Sequence, residues 1–117
     1  MSYVDGFVLA VPTANREAYR EHATAMAARF KAHGALQVME CWGDDVPEGT
    51  HTSFTMAVKR QPDEEVVFSW ITWPSREARD AGWKKVMADP LMQSADRAVP
   101  FDAKRLIYGG FDVLLST

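Results

Sequence analysis

Two stretches of helical spacing set among strand-like runs, in the order β-α-β-β-α-β, predict an α+β domain with one antiparallel sheet. Three observations carry this. Residues 3–11, 35–44, 66–73 and 105–115 are rich in β-branched and aromatic side chains. Residues 15–33 and 76–88 place apolar side chains three and four apart. Their alternation is the split β-α-β pattern of ferredoxin-like folds, with both helices on one face of the sheet. The length, 117 residues, suits a single domain over residues 1–117.

The first strand, YVDGFVLAV, ends at Pro12. Thr13 or Asn15 is placed to cap the helix that follows, because a short polar side chain accepts from the exposed amides of a first turn. Tyr19, Ala23, Met26, Ala27 and Phe30 form its apolar stripe, with Arg16, Glu17, Arg20, Glu21 and Lys31 on the remaining arc. Gly34 stands where a helix ends on a left-handed residue. The second strand is ALQVMECWGD. Residues 45–64 carry two readings: Phe54, Met56 and Val58 alternate as in a strand, whereas Phe54, Ala57 and Val58 fit one helical turn. VVFSWITW is the most strand-like segment. Pro74 breaks it and Ser75 caps the second helix, which buries Ala78, Ala81, Gly82 and Val86, with Trp83 and Met87 widening the arc. Asp89-Pro90 ends that helix and predicts a short further one over residues 91–96. Residues 99–104 read as a loop. Gly109-Gly110, inside the last strand, predicts a bulge or a close backbone approach.

The strands do not alternate between apolar and polar. In the first, Tyr3, Phe7 and Leu9 oppose Val4, Val8 and Ala10; in the third, Val66, Phe68 and Trp70 oppose Val67, Ile71 and Trp73. Two helices cover one face. The apolar second face predicts a homodimer with sheets packed face to face, a dimeric α/β barrel.

Apolar residues make up 47% of the chain and the formal charge is −3. That balance gives no electrostatic drive toward nucleic acid or an anionic membrane. No apolar run approaches the ~18 residues of a membrane helix. Cys41 is the single cysteine, so no internal disulfide forms and a reducing compartment, the cytoplasm, is expected. The N-terminal residues lack the pattern of a signal peptide.

Several stretches are distinctive together: Tyr3-Val4-Asp5-Gly6-Phe7, Glu40-Cys41-Trp42-Gly43-Asp44-Asp45-Val46-Pro47, Phe68-Ser69-Trp70, Met87-Ala88-Asp89-Pro90, Pro100-Phe101-Asp102-Ala103-Lys104-Arg105 and Tyr108-Gly109-Gly110-Phe111. On these the chain resembles, nearly end to end, the YbaA-like family of small bacterial proteins, a domain of unknown function. The resemblance implies a ferredoxin-like fold pairing as a dimeric α/β barrel, and no established activity.

Carboxylates set mid-strand among apolar residues are the most suggestive chemistry. Asp5 shares a face with Tyr3, Phe7 and Leu9, Glu40 with Leu36, Val38 and Trp42, and Asp112 with Tyr108 and Leu114. Burial raises a carboxyl pKa toward the range of a general base. On that ground Asp5 and Asp112, on neighbouring strands, are candidate catalytic groups. The competing reading is that these acids sit near strand ends, or pair with Arg105, Lys104 or Arg97 at the dimer seam. Asp44-Asp45 reads as a turn with Val46-Pro47. His22, His33, His51 and Cys41 show no metal-ligand spacing, so no metal and no cofactor is expected. A thiol beside Glu40 is not activated.

The reading that follows is a homodimer binding a small molecule in an apolar pocket between sheet and helices. Tyr3, Trp70, Asp102, Arg105 and Tyr108 are the candidate ligand-binding residues, with Asp5 as base and Arg105 as anchor for an anionic group. The alternative is a non-catalytic RNA-associated or stress-related binding protein. It requires a basic patch from Arg16, Arg20, Arg29 and Lys31, or from Lys84, Lys85, Arg97 and Lys104.

Overall fold

The computed structural model describes residues 2–90, 92 and 99–117. Its strands are β1 (Tyr3–Pro12), β2 (Gln37–Trp42), β3 (Glu64–Trp73) and β4 (Ile107–Asp112), and its helices are α1 (Arg16–Ala32), α2 (Phe54–Ala57) and α3 (Arg76–Met87). The sheet order is β2-β3-β1-β4, with every neighbouring pair antiparallel. This is the ferredoxin-like arrangement, an α+β domain. The register places Asp5 opposite Ile71 on one side and Gly110 on the other.

Helix α1 buries Tyr19, Ala23 and Phe30, as its stripe predicts. It ends at Gly34, whose φ of 109° is the left-handed conformation expected there. Neither Thr13 nor Asn15 caps it. Thr13 instead donates to the Asp63 carbonyl at 3.2 Å, and Asn15 Nδ2 to the Pro100 carbonyl at 3.1 Å. Both side chains are spent on tying down loops. Ser75 does cap α3, accepting from the Ala78 amide at 3.1 Å. Gly82 and Val86 are the buried side of that helix; Ala81 and Met87 face outward. The expected helix over residues 91–96 lies outside the described residues.

The segment with two readings resolves as the short helix α2, capped by Ser53. Val58, just after it, is buried against Ala10 and Val66. Phe54 meets Phe68 edge-on at 5.8 Å. Helix α2 therefore lies on the sheet face away from α1 and α3 and covers one corner of it. The rest of that face stays open: Val4, Val8, Trp70 and Thr72 are half-buried, while Phe68 is 41% and Phe111 59% exposed.

The pair Gly109-Gly110 carries no bulge, since β1 and β4 pair in unbroken register. Gly110 is a close approach instead: a Cβ there would collide with the Tyr3 hydroxyl and Arg79. Gly82 answers to the same constraint on α3, where a Cβ would run into the Trp73 ring and the His33 carbonyl. Trp73 is fully buried and lies edge-on to Phe30 at 6.2 Å, so it has nowhere to go. Gly82→Ala is expected to lower stability by about 1–3 kcal/mol, the usual range for overpacking a core, read as a lower urea midpoint with an unchanged slope.

Candidate functional site

The helix-facing rows of the sheet are Tyr3, Asp5, Phe7 and Leu9 of β1, Val67, Ser69, Ile71 and Trp73 of β3, and Val38, Glu40 and Trp42 of β2. Between these rows and α1 lies a cavity of about 140 Å³, lined mainly by apolar side chains including Leu9, Met26, Phe30, Val38 and Phe101. Tyr19, Glu40 and Ser69 join in its wall. Tyr19, buried in the α1 stripe, donates its hydroxyl to Glu40 Oε1 at 2.6 Å, and Ser69 also hydrogen-bonds Glu40. His22 lines the same cavity, with its ring 5.9 Å from that of Phe101.

Desolvation pushes the Glu40 carboxyl above its ordinary range, against the opposing pull of the hydrogen bonds from Tyr19 and Ser69. Burial first, and then the Glu40 charge, push the Tyr19 hydroxyl far up as well. The two shifts share a cause, burial, and in the hydrogen bond between them Tyr19 is the donor and Glu40 the acceptor. Glu40 keeps contact with solvent along the β2 edge, which screens part of the effect.

Asp5 stands elsewhere. It is 3% exposed and surrounded by donors: Trp73 Nε1 at 2.9 Å and Trp83 Nε1 at 2.7 Å on Oδ2, Arg79 Nε at 3.0 Å and Nη2 at 2.9 Å on Oδ1. Its partner is thus Arg79 on α3 and neither Arg105 nor Lys104. Every lone pair that a base would use is occupied. Asp112 does not meet Asp5; it pairs across from Tyr3 at the exposed end of β4.

The other candidate residues fall into separate groups: Trp70 and Tyr108 share the depression on the open sheet face, and Tyr3 and Asp112 share a smaller one beside the start of α3. Tyr3 packs in the core beneath Arg79, whose guanidinium sits 5.3 Å above the ring. Trp70 is on the opposite face, beside Phe68, because the pleat of β3 sends even-numbered residues there. Tyr108 is on the edge strand, stacked on Phe7. Asp102 and Arg105 form a separate clamp. Arg105 grips buried Glu64 with two bonds of 2.8 and 2.6 Å, bonds Asp102 at 3.0 Å and reaches the Lys59 carbonyl. The Arg105 guanidinium holds the Glu64 carboxyl below its usual range. So held, Arg105 anchors the chain before β4. Among the described residues, no three of His, Cys, Asp and Glu come together as a metal site.

Residues 2–103 match the family described as "Protein of unknown function (DUF1428)". The chain belongs to that family. Among curated members it is 55% identical over 115 residues to the uncharacterized protein YbaA of Escherichia coli K12, covering 98% of each chain. The YbaA of Shigella flexneri is equally similar. Among solved structures it resembles a mutant form of SnoaB, a cofactor-independent oxygenase from Streptomyces nogalater. The TM-score is 0.58 and the identity 15%, over 98% of this chain and 95% of that one. At that identity the likeness is one of fold, that of dimeric α/β-barrel proteins. Among the described residues of this DUF1428 chain, no helix is long and apolar enough to cross a membrane.

Two outcomes test these assignments. Asp5→Asn is expected to cost about 3–5 kcal/mol, as breaking a buried pair does, seen in urea denaturation at neutral pH. Glu40→Gln is expected to act in the opposite sense. A raised carboxyl pKa favours the proton-bound folded state, so stability falls as pH rises from the ordinary glutamate range through the raised value. The amide keeps an acceptor for Tyr19 and removes that loss. The variant should melt higher than the parent at pH 7, and the gap should close by pH 4; an equal gap at both values would refute the assignment.

Proposed function

We propose that the protein acts as a homodimer, each subunit of which binds a small, mainly apolar molecule in the cavity between α1 and the sheet. The observation that carries this reading is the composition of that cavity: apolar walls with one built-in hydrogen-bonding group, Tyr19–Glu40–Ser69. Ligand sites characteristically combine apolar walls with a few fixed polar atoms. Glu40, with its raised pKa, is the group able to exchange a proton with a bound molecule, and it takes the place that the sequence suggested for Asp5.

The dimer is supported by the open sheet face. Phe68, Ile107 and Phe111 are exposed there, around a shallow depression lined also by Val4, Val8 and Trp70. A second copy of the same face is the cover of matching shape and chemistry. The half-buried thiol of Cys41 suits the cytoplasm. The RNA-associated alternative finds less support. Arg29 is drawn to Asp89 at 3.4 Å and Lys31 folds back onto the Leu36 carbonyl, which breaks up the basic row on α1; Arg97 lies outside the described residues. SnoaB's oxygenase chemistry does not travel with its fold.

Indole, titrated as a neutral probe and followed by methyl NMR, tests the cavity. Shifts are expected at Met26 and Ala27, and Ala27→Phe, which fills the space, should abolish them. Sedimentation at low micromolar concentration should give twice the 13.1 kDa chain mass, reduced to the monomer by Phe68→Glu. Shifts scattered outside the cavity would sink the first claim, and a monomeric parent the second.

A further inference from the structure

A second cavity adjoins the first. It is an open groove of about 340 Å³ between α1 and the β2 edge, and Tyr19, Ala23, Ala27, Val38 and Glu40 line both spaces. These shared residues form the wall between them, and the Tyr19–Glu40 hydrogen bond runs across it from α1 to β2. The two spaces differ in character. The inner one is lined mainly by aliphatic and aromatic side chains. The outer one adds Arg16, Arg20, Cys41 and Trp42. Arg16 lies over the Trp42 ring, 5.2 Å from its centroid, which places its exposed guanidinium at the mouth of the groove. Arg20 follows one turn later on the same side of α1. The acids Glu17 and Glu21 are exposed and do not line the groove.

We propose that these are two chambers of one site, partitioned by the Tyr19–Glu40 bond, and that its ligand is a small apolar acid. The carboxylate sits at Arg16 and Arg20; the flat apolar body runs along Trp42 and through the partition into the inner chamber. This rests on the cavity reading above and gives it a ligand class. The inner chamber alone is small. Joined to the groove, it falls within the ~300–1,000 Å³ usual for ligand pockets. Arginine matches a carboxylate through paired donors in one plane. The bond across the partition joins a side chain on a helix to one on an edge strand, and rotation of the Glu40 side chain away from Tyr19 and Ser69 opens it without moving the sheet. Glu40 is the one acid in the wall, and its raised protonation range lessens its repulsion of an incoming carboxylate.

The test compares indole with indole-3-propionate, which have the same ring, by methyl NMR and fluorescence titration on the whole protein. The acid is expected to bind at least tenfold more tightly than indole, with both shifting Met26. The double variant Arg16→Gln/Arg20→Gln changes two exposed residues; it should remove the acid's advantage and leave indole's affinity as it was. Tyr19→Phe, which lacks the partition bond, should speed association of the acid several-fold in stopped flow. Equal affinity for the two probes, or an equal loss of both in the arginine variant, overturns the inference and leaves the cavity reading standing. An unchanged association rate in Tyr19→Phe overturns the partition. If neither probe reaches Met26, the cavity reading fails and this inference with it.

Discussion

The carboxylate of Asp5 is the point from which the rest of the architecture hangs. It lies in the middle of the helix-facing row of β1, where an unpaired charge would be prohibitive. Two indole N–H groups and one guanidinium answer it, from β3 and from α3. The arrangement fixes the height and rotation of α3 above the sheet. It also explains two glycines far apart in sequence. Gly82 lets α3 descend onto Trp73, and Gly110 leaves room for Tyr3 and Arg79 to lie flat across β4. Apolar packing of Phe30 against both tryptophans then closes the core around the polar centre.

The two ends of the helix-facing surface serve different purposes. Near α3 the acid is saturated with donors and rigid, a structural group. Near α1 the acid, Glu40, has neutral partners, stands at an edge strand and borders empty space. A carboxylate whose partners are a tyrosine and a serine retains the freedom to change protonation, which one matched to an arginine gives up. The two acids looked alike as mid-strand carboxylates, yet Asp5 is closed off by donors and Glu40 borders open space.

The fold was legible because its signals are local. Strand runs such as VVFSWITW, the stripe from Tyr19 to Phe30, the Ser75 cap and Gly34 each report on a few neighbouring residues. The site was much less so. Asp5 was marked as unusual, but its partner Arg79 is 74 residues away and sits in a helix whose exposed arc is full of charges. Tyr19 read as one more member of an apolar stripe. Its hydroxyl, which needs a partner when buried, was the available clue that Glu40 faces it. Trp70 and Tyr108 share the open-face depression while Arg105 is engaged by Glu64 and Asp102; strand parity and loop path decide which side of a sheet a residue serves, and neither follows from residue type.

The strand order also governs how this chain must fold. The two central strands, β1 and β3, lie far apart in sequence, and the Asp5–Trp73 bond spans 68 residues. The first half of the chain, β1, α1 and β2, contains no pair of hydrogen-bonded strands. A ribosome releasing this protein therefore presents Phe7, Leu9 and Val11 with nothing to cover them until β3 emerges. Such non-local closure slows folding and leaves the nascent chain open to wrong contacts. No fragment that stops short of Trp73 holds a completed sheet, so the domain assembles late and as a whole.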